Sequence, residues 1–75
     1  MDTDNLVHMA NRIGQFFESF SDRDEALAGV AGHIHKFWEP RMRGALLAHW
    51  RAAGENSGLR PIVGEALERH QAELA

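Results

Sequence analysis

The stretch Phe37-Trp38-Glu39-Pro40-Arg41-Met42-Arg43 decides how this chain folds, because no helix can run through it unbroken. Pro40 has no N–H to donate, and its ring disfavours helical geometry at Glu39, so a helix arriving from the N-terminal side must stop. Proline equally suits the first position of a new helix. The chain is therefore expected to turn a corner here, with a fresh helix running from Pro40 to about Ala53 and closing at Gly54.

Upstream of the corner, Leu27, Val30, Ala31, Ile34, Phe37 and Trp38 recur at helical spacing and predict one buried stripe. Ser21 is the expected N-cap of that helix, followed by acids in its first turn, where the helix dipole favours negative charge. Before it, a helix from about Asp4 to Phe20 carries Leu6, Met9, Ala10, Ile13, Phe17 and Phe20 on one face, with His8, Asn11, Arg12, Gln15 and Ser19 opposite. Downstream, Gly54-Glu55-Asn56-Ser57-Gly58 reads as loop. Pro61 then opens a last helix reaching nearly to the C-terminus on Ile62, Ala66, Leu67 and Leu74. The expected fold is all-α: a small bundle of about four short helices in a single domain over residues 1–75, the first two forming an antiparallel hairpin.

Composition narrows the function. With 75 residues and no cysteine, the chain has neither a disulfide framework nor a thiolate metal site to reinforce a modest core. A docked partner, or a second copy when the chain is isolated, would supply further burial. Eight Lys plus Arg against eleven Asp plus Glu leave a net charge of −3, which argues against a nucleic-acid partner. No apolar run approaches the roughly 20 residues of a membrane span, so no membrane partner is expected. The opening residues carry two acids, Asp2 and Asp4, without the apolar stretch of a secretory signal, and the expected location is cytoplasmic.

Catalytic chemistry is hard to assemble from these residues. Five histidines, His8, His33, His35, His49 and His70, are scattered. His33 and His35 point about 200° apart around a helix and cannot chelate one ion from it. His70 is expected at the core edge with one nitrogen satisfied. No metal ligand, cofactor-binding residue or catalytic residue is assigned, and the glycines show neither a dinucleotide fingerprint nor a P-loop. Gly29, Gly32, Gly44 and Gly64 instead suggest close backbone approaches, since glycine inside a helix costs about 0.5–1 kcal/mol relative to alanine. Gly44, Ala45, Ala48 and Ala52 give the third helix a smooth second face that a partner helix could approach.

The densest signal remains the corner, His33 to Arg43. Trp and Arg are frequent interface anchors because each combines large contact area with directional hydrogen bonds. His33, Phe37, Trp38, Pro40, Arg41 and Arg43 are therefore the candidate partner-binding residues. Arg43 falls among Leu46, Leu47 and Trp50, so it must leave by the helix end or meet a carboxylate. A plainer reading makes Phe37 and Trp38 core residues, Pro40 a corner and the arginines solvated.

Three segments also carry a family resemblance: Leu6-Val7-His8-Met9-Ala10-Asn11-Arg12-Ile13-Gly14-Gln15-Phe16-Phe17, then His33-Ile34-His35-Lys36-Phe37-Trp38-Glu39-Pro40-Arg41-Met42-Arg43, and Leu59 to Leu67. Together they resemble the delta subunit of NAD-dependent formate dehydrogenases, with the central block the most specific. The resemblance implies a small accessory subunit of a soluble molybdenum- or tungsten-containing complex, partnered by its large catalytic subunit. Molybdopterin, iron–sulfur clusters and FMN are implied to belong to the larger subunits. The small subunit is implied to support assembly, cofactor insertion or stability. The alternative from another class is a small helix-turn-helix regulator, with Lys36, Arg41, Arg43 and Arg51 addressing DNA.

Overall fold

The break at Pro40 organises the backbone. In the computed structural model, which describes residues 2–75, Glu39 is extended (φ −67°, ψ 152°) and Pro40 opens helix α3, Pro40–Ala53. Gly54 ends it at φ 55°, a conformation that costs other residues a steric penalty. The remaining elements are α1 (Thr3–Phe17), α2 (Arg23–Phe37), a 3-10 turn at Gly54–Asn56, α4 (Pro61–Arg69) and α5 (Gln71–Leu74). The described residues are all-α, without a strand.

Several element ends differ from the sequence expectations, each for a local reason. Asp22, not Ser21, caps α2: its carboxylate accepts from the Glu25 N–H at 3.2 Å. A carboxylate there meets both the free N–H groups and the positive end of the helix dipole. Helix α1 stops at Phe17 instead of Phe20, where Ser19 Oγ donates to the Phe16 carbonyl and the Phe20 N–H to the Phe17 carbonyl, both at 3.1 Å. Phe20 therefore lies beyond the helix and is 36% exposed. The last helix is broken at His70 (φ −115°, ψ 28°), and the short α5 beyond it tucks Leu74 into the core at 1% exposure.

Helix α2 is central and touches every other helix. Its Ala26, Leu27, Val30, Ala31 and Ile34 join Leu6 and Ala10 of α1, Leu46 and Leu47 of α3, Ile62, Val63, Ala66 and Leu67 of α4, Leu74, and Trp38 in one buried cluster. Phe37 belongs to the expected stripe by angle but not by position. It is the last residue of α2 and remains exposed, its ring resting on His33 and under the Lys36 ammonium of its own helix.

Of the helical glycines expected to mark close approaches, Gly29 does and Gly32 and Gly44 do not: a Cβ on either of the latter two would meet nothing within 4 Å. A Cβ on Gly29 would collide with the Phe17 ring. On Gly14 it would lie 2.7 Å from Val63 Cγ2 and 3.1 Å from Ile62 Cγ2. Two stiff β-branched side chains cannot yield easily. Gly14→Ala is therefore expected to destabilise by about 1–2 kcal/mol, overpacking exceeding the helix-propensity gain. Gly44→Ala is expected to stabilise by about 0.5–1 kcal/mol. Thermal melts read the two signs, since 1 kcal/mol moves Tm by roughly 4–8 °C in a domain this size. Equal shifts in one direction would contradict the packing.

Ion pairs tie α4 to its neighbours: Arg23 to Glu65 at 2.6 Å, Arg60 to Glu18 at 2.7 Å, and Arg69 to Asp24. The bidentate Arg60 guanidinium holds the Glu18 carboxyl below its ordinary value of 4.5, first by hydrogen bonding and then by charge. A lowered folded-state pKa means that this contact contributes fully above about pH 4.5 and fades as pH falls through the folded value. Glu18→Gln should remove that part of the acid sensitivity, so acid titrations of the two proteins should differ below about pH 4.5 and run parallel at neutral pH. Parallel curves throughout would show that the exposed pair adds nothing.

Candidate functional site

Of the six residues predicted to bind a partner, the structure brings four to the surface and turns two inward. His33, Phe37, Pro40 and Arg41 are exposed. Trp38 is only 6% exposed and packs in the core, with its N–H donating to the Ile34 carbonyl at 2.9 Å. Arg43 leaves the apolar face of α3 by folding back over the C-terminal end of α2. Its Nη1 donates to the carbonyls of His35 (3.0 Å) and Trp38 (3.2 Å). A cation satisfying the last carbonyls of a helix also meets the negative end of its dipole. Its Nε is buried without a partner, so the side chain is held on one edge only.

Trp38 and Arg43 thus build the corner from inside, while Phe37 is its outer surface at 65% exposure. The Phe37 ring lies 4.7 Å from His33, centroid to centroid, with Lys36 Nζ 5.5 Å from its centre. Phe16 on α1 is equally bare, at 64%. Phe16 meets Phe17 edge-on at 4.9 Å, and Phe20 tilts against both. A groove of about 460 Å³ runs between the two helices, lined by Arg12, Ile13, Phe16, Phe17 and His33. Its upper wall exists because Gly29 lets the Phe17 ring lie directly on the α2 backbone.

The other large hollow has a mixed lining, charged and apolar. About 530 Å³ in volume, it lies between α3 and α4 and carries Glu55, Glu65, Glu68 and Arg60 beside Trp50 and Leu59. The smooth small-residue face of α3 stands open, with Gly44, Ala48 and Ala52 exposed.

Two residues that sequence reading overlooked shape this surface. Phe16 received no place in the α1 stripe, although Phe16, Phe17 and Phe20 are more aromatic surface than one helix end buries. Asn11, assigned to the solvent side, clamps the loop before α4: its Nδ2 donates to the Gly58 carbonyl at 2.9 Å and its Oδ1 accepts from the Arg60 N–H at 2.8 Å. An asparagine in mid-helix, where it is a poor helix former, was the available signal.

The histidines do not converge. His8, His33 and His35 are exposed, while His49 Nε2 lies 2.8 Å from the Ser57 carbonyl oxygen. His70 sits at the core edge as expected, its Nδ1 3.3 Å from Glu73 Oε1 and its Nε2 buried without a partner. Among the described residues no three His, Asp or Glu side chains gather into a potential metal site. No described helix is long and apolar enough to cross a membrane.

Against known proteins, the chain matches no curated protein and no solved structure. The sequence model of the NADH-dependent formate dehydrogenase delta subunit, FdsD, matches residues 5–67, from the first turn of α1 through most of α4. That span takes in the clamp at Asn11, the aromatic groove, the Pro40 corner and nearly all of the core. The chain belongs to the family of NADH-dependent formate dehydrogenase delta subunits.

Proposed function

We propose that this chain is a non-catalytic small subunit of a cytoplasmic NAD-dependent formate dehydrogenase, docking on the large catalytic subunit and supporting its assembly, cofactor insertion or stability. The observation that carries this reading is the pair of bare phenylalanines, Phe16 at 64% and Phe37 at 65% exposure, on a chain whose other long apolar side chains are largely interior. A small protein keeps such rings in water at a cost in solubility, and exposed aromatic patches mark interaction surfaces. The corner offers His33, Phe37, Pro40 and Arg41 to the partner, while Trp38 and Arg43 fix the backbone that presents them.

Redox chemistry belongs to the larger subunits in this reading. The chain has no cysteine with which to ligate an iron–sulfur cluster. The regulator alternative loses support because two of its four cations are engaged within the chain: Arg43 on the α2 carbonyls and Arg51 on Gln71 Oε1 at 2.7 Å.

The test is co-expression of the tagged chain with the large catalytic subunit, followed by affinity and size-exclusion chromatography. A stable complex of the two is expected, and Arg41→Glu should weaken it while leaving the circular dichroism spectrum intact. Arg43→Glu is not an equivalent probe, since it sets a carboxylate against two carbonyls and should lower the stability of the chain itself. Elution of the two proteins apart would overturn the proposal.

A further inference from the structure

The charges around the aromatic groove say what kind of segment it accepts. Of the eight cationic side chains, Arg23, Arg60 and Arg69 pair with carboxylates, Arg43 caps α2 and Arg51 bonds Gln71. Arg12, Lys36 and Arg41 have no hydrogen-bond or ion-pair partner among the described residues. Arg12 lines the groove, and Lys36 stands over the Phe37 ring, which rests on the groove residue His33. No carboxylate lines the groove, although acids outnumber bases eleven to eight in the whole chain. An acidic protein has thus left unpaired cations beside its most exposed aromatic rings.

We infer that the groove between α1 and α2, lined by Phe16, Phe17 and His33, together with the Phe37 ring that rests on His33, seats an apolar segment of the large subunit that carries flanking carboxylates, which pair with Arg12 and Lys36. The inference rests on the proposed docking to that subunit and adds where it occurs and what is recognised. The apolar part of the segment covers Phe16 and Phe37, the central anchors. Its carboxylates meet cations at the rim, where charge sets orientation and encounter rate more than affinity. A second copy of this chain fits less well. A two-fold pairing through the same groove brings each Arg12 and Lys36 toward its own counterpart, and like charges across an interface repel. The net charge of −3 also opposes an anionic lipid surface.

The experiment uses the full chain with the purified large subunit. Binding of the native chain is measured beside that of Phe16→Ala/Phe37→Ala, Arg12→Glu, Lys36→Glu and the distant control Glu68→Ala. All five substituted positions are exposed, and thermal melts verify folding. The double aromatic variant is expected to weaken binding by about 30-fold or more, the loss of one hot-spot side chain or greater. Each charge reversal should weaken it by about tenfold with a reduced salt dependence, and Glu68→Ala should change nothing. A photo-reactive phenylalanine analogue at position 37 should cross-link to a large-subunit peptide that contains Asp or Glu next to apolar residues.

If the native chain fails to bind the large subunit, the docking reading itself falls. If it binds and the groove variants bind equally well, docking stands and the groove is wrong. Cross-linking to a second copy, to a peptide without carboxylates, or native binding to phosphatidylserine vesicles that the aromatic variant loses, would each overturn the assignment.

Discussion

Trp38→Ala is expected to lower the stability of this chain by about 3–5 kcal/mol, while Phe37→Ala, one residue away, leaves it nearly unchanged. Trp38 is 6% exposed and Phe37 65%, so the two substitutions remove very different amounts of buried surface. Trp38 is also where α2 ends: its backbone is extended (φ −95°, ψ 142°), its N–H bonds Ile34, and its carbonyl receives Arg43. Truncating the side chain opens a cavity beneath both the corner and the arginine that braces it. A protein of 75 residues has roughly 4–11 kcal/mol in all, so the loss consumes much of the total. Thermal denaturation should show Tm falling by at least about 12 °C for Trp38→Ala. A comparable drop for Phe37→Ala would mean that its ring is packed in solution.

These neighbouring aromatics also show how far the sequence could be read. Pro40 and Gly54 bounded α3 correctly because each acts through its own backbone: a missing N–H in one case, a positive φ in the other. Such effects need no knowledge of what surrounds them. The fate of Phe37 and Trp38 depends on which neighbours lie above the last turn of α2, and periodicity alone assigned both to the core. The break at His70 has no local signal at all, since neither glycine nor proline marks it. Packing of Leu74 against α2 and α3 decides it. Asp22 caps α2 where Ser21 is expected; both residue types cap helices, and one residue separates them.

The surface was legible in part for the same reason. The corner block announced an interface by composition, but Phe16 on α1 is as exposed as Phe37, and nothing in the local spacing joins the two. The Phe17 ring packed on Gly29 is one contact that joins the two helices there. Arg43 gave a clearer signal. A cation on an apolar helix face had to find an exit or a counter-charge, and it took the exit, onto the α2 carbonyls.

The second large effect is expected in the cell. Without this chain, formate dehydrogenase activity should fall several-fold, because fewer large subunits reach or keep the assembled, cofactor-loaded state. A partner that binds the competent state and not the incompetent one raises its population by mass action. Turnover per loaded active site should then be unaffected by its absence, whereas the fraction of loaded sites should drop. The groove variant Phe16→Ala/Phe37→Ala should reproduce the deficit in part, since it retains the fold but weakens docking.

Purifying the large subunits from cells that lack the chain, measuring their molybdenum or tungsten content, and dividing activity by occupied sites tests the accessory role directly. Low occupancy or a dissociated complex is expected, with activity per occupied site equal to that of the complete enzyme. A fully loaded, intact complex with depressed turnover per site would contradict it, and would place this chain in the chemistry or the electron transfer itself.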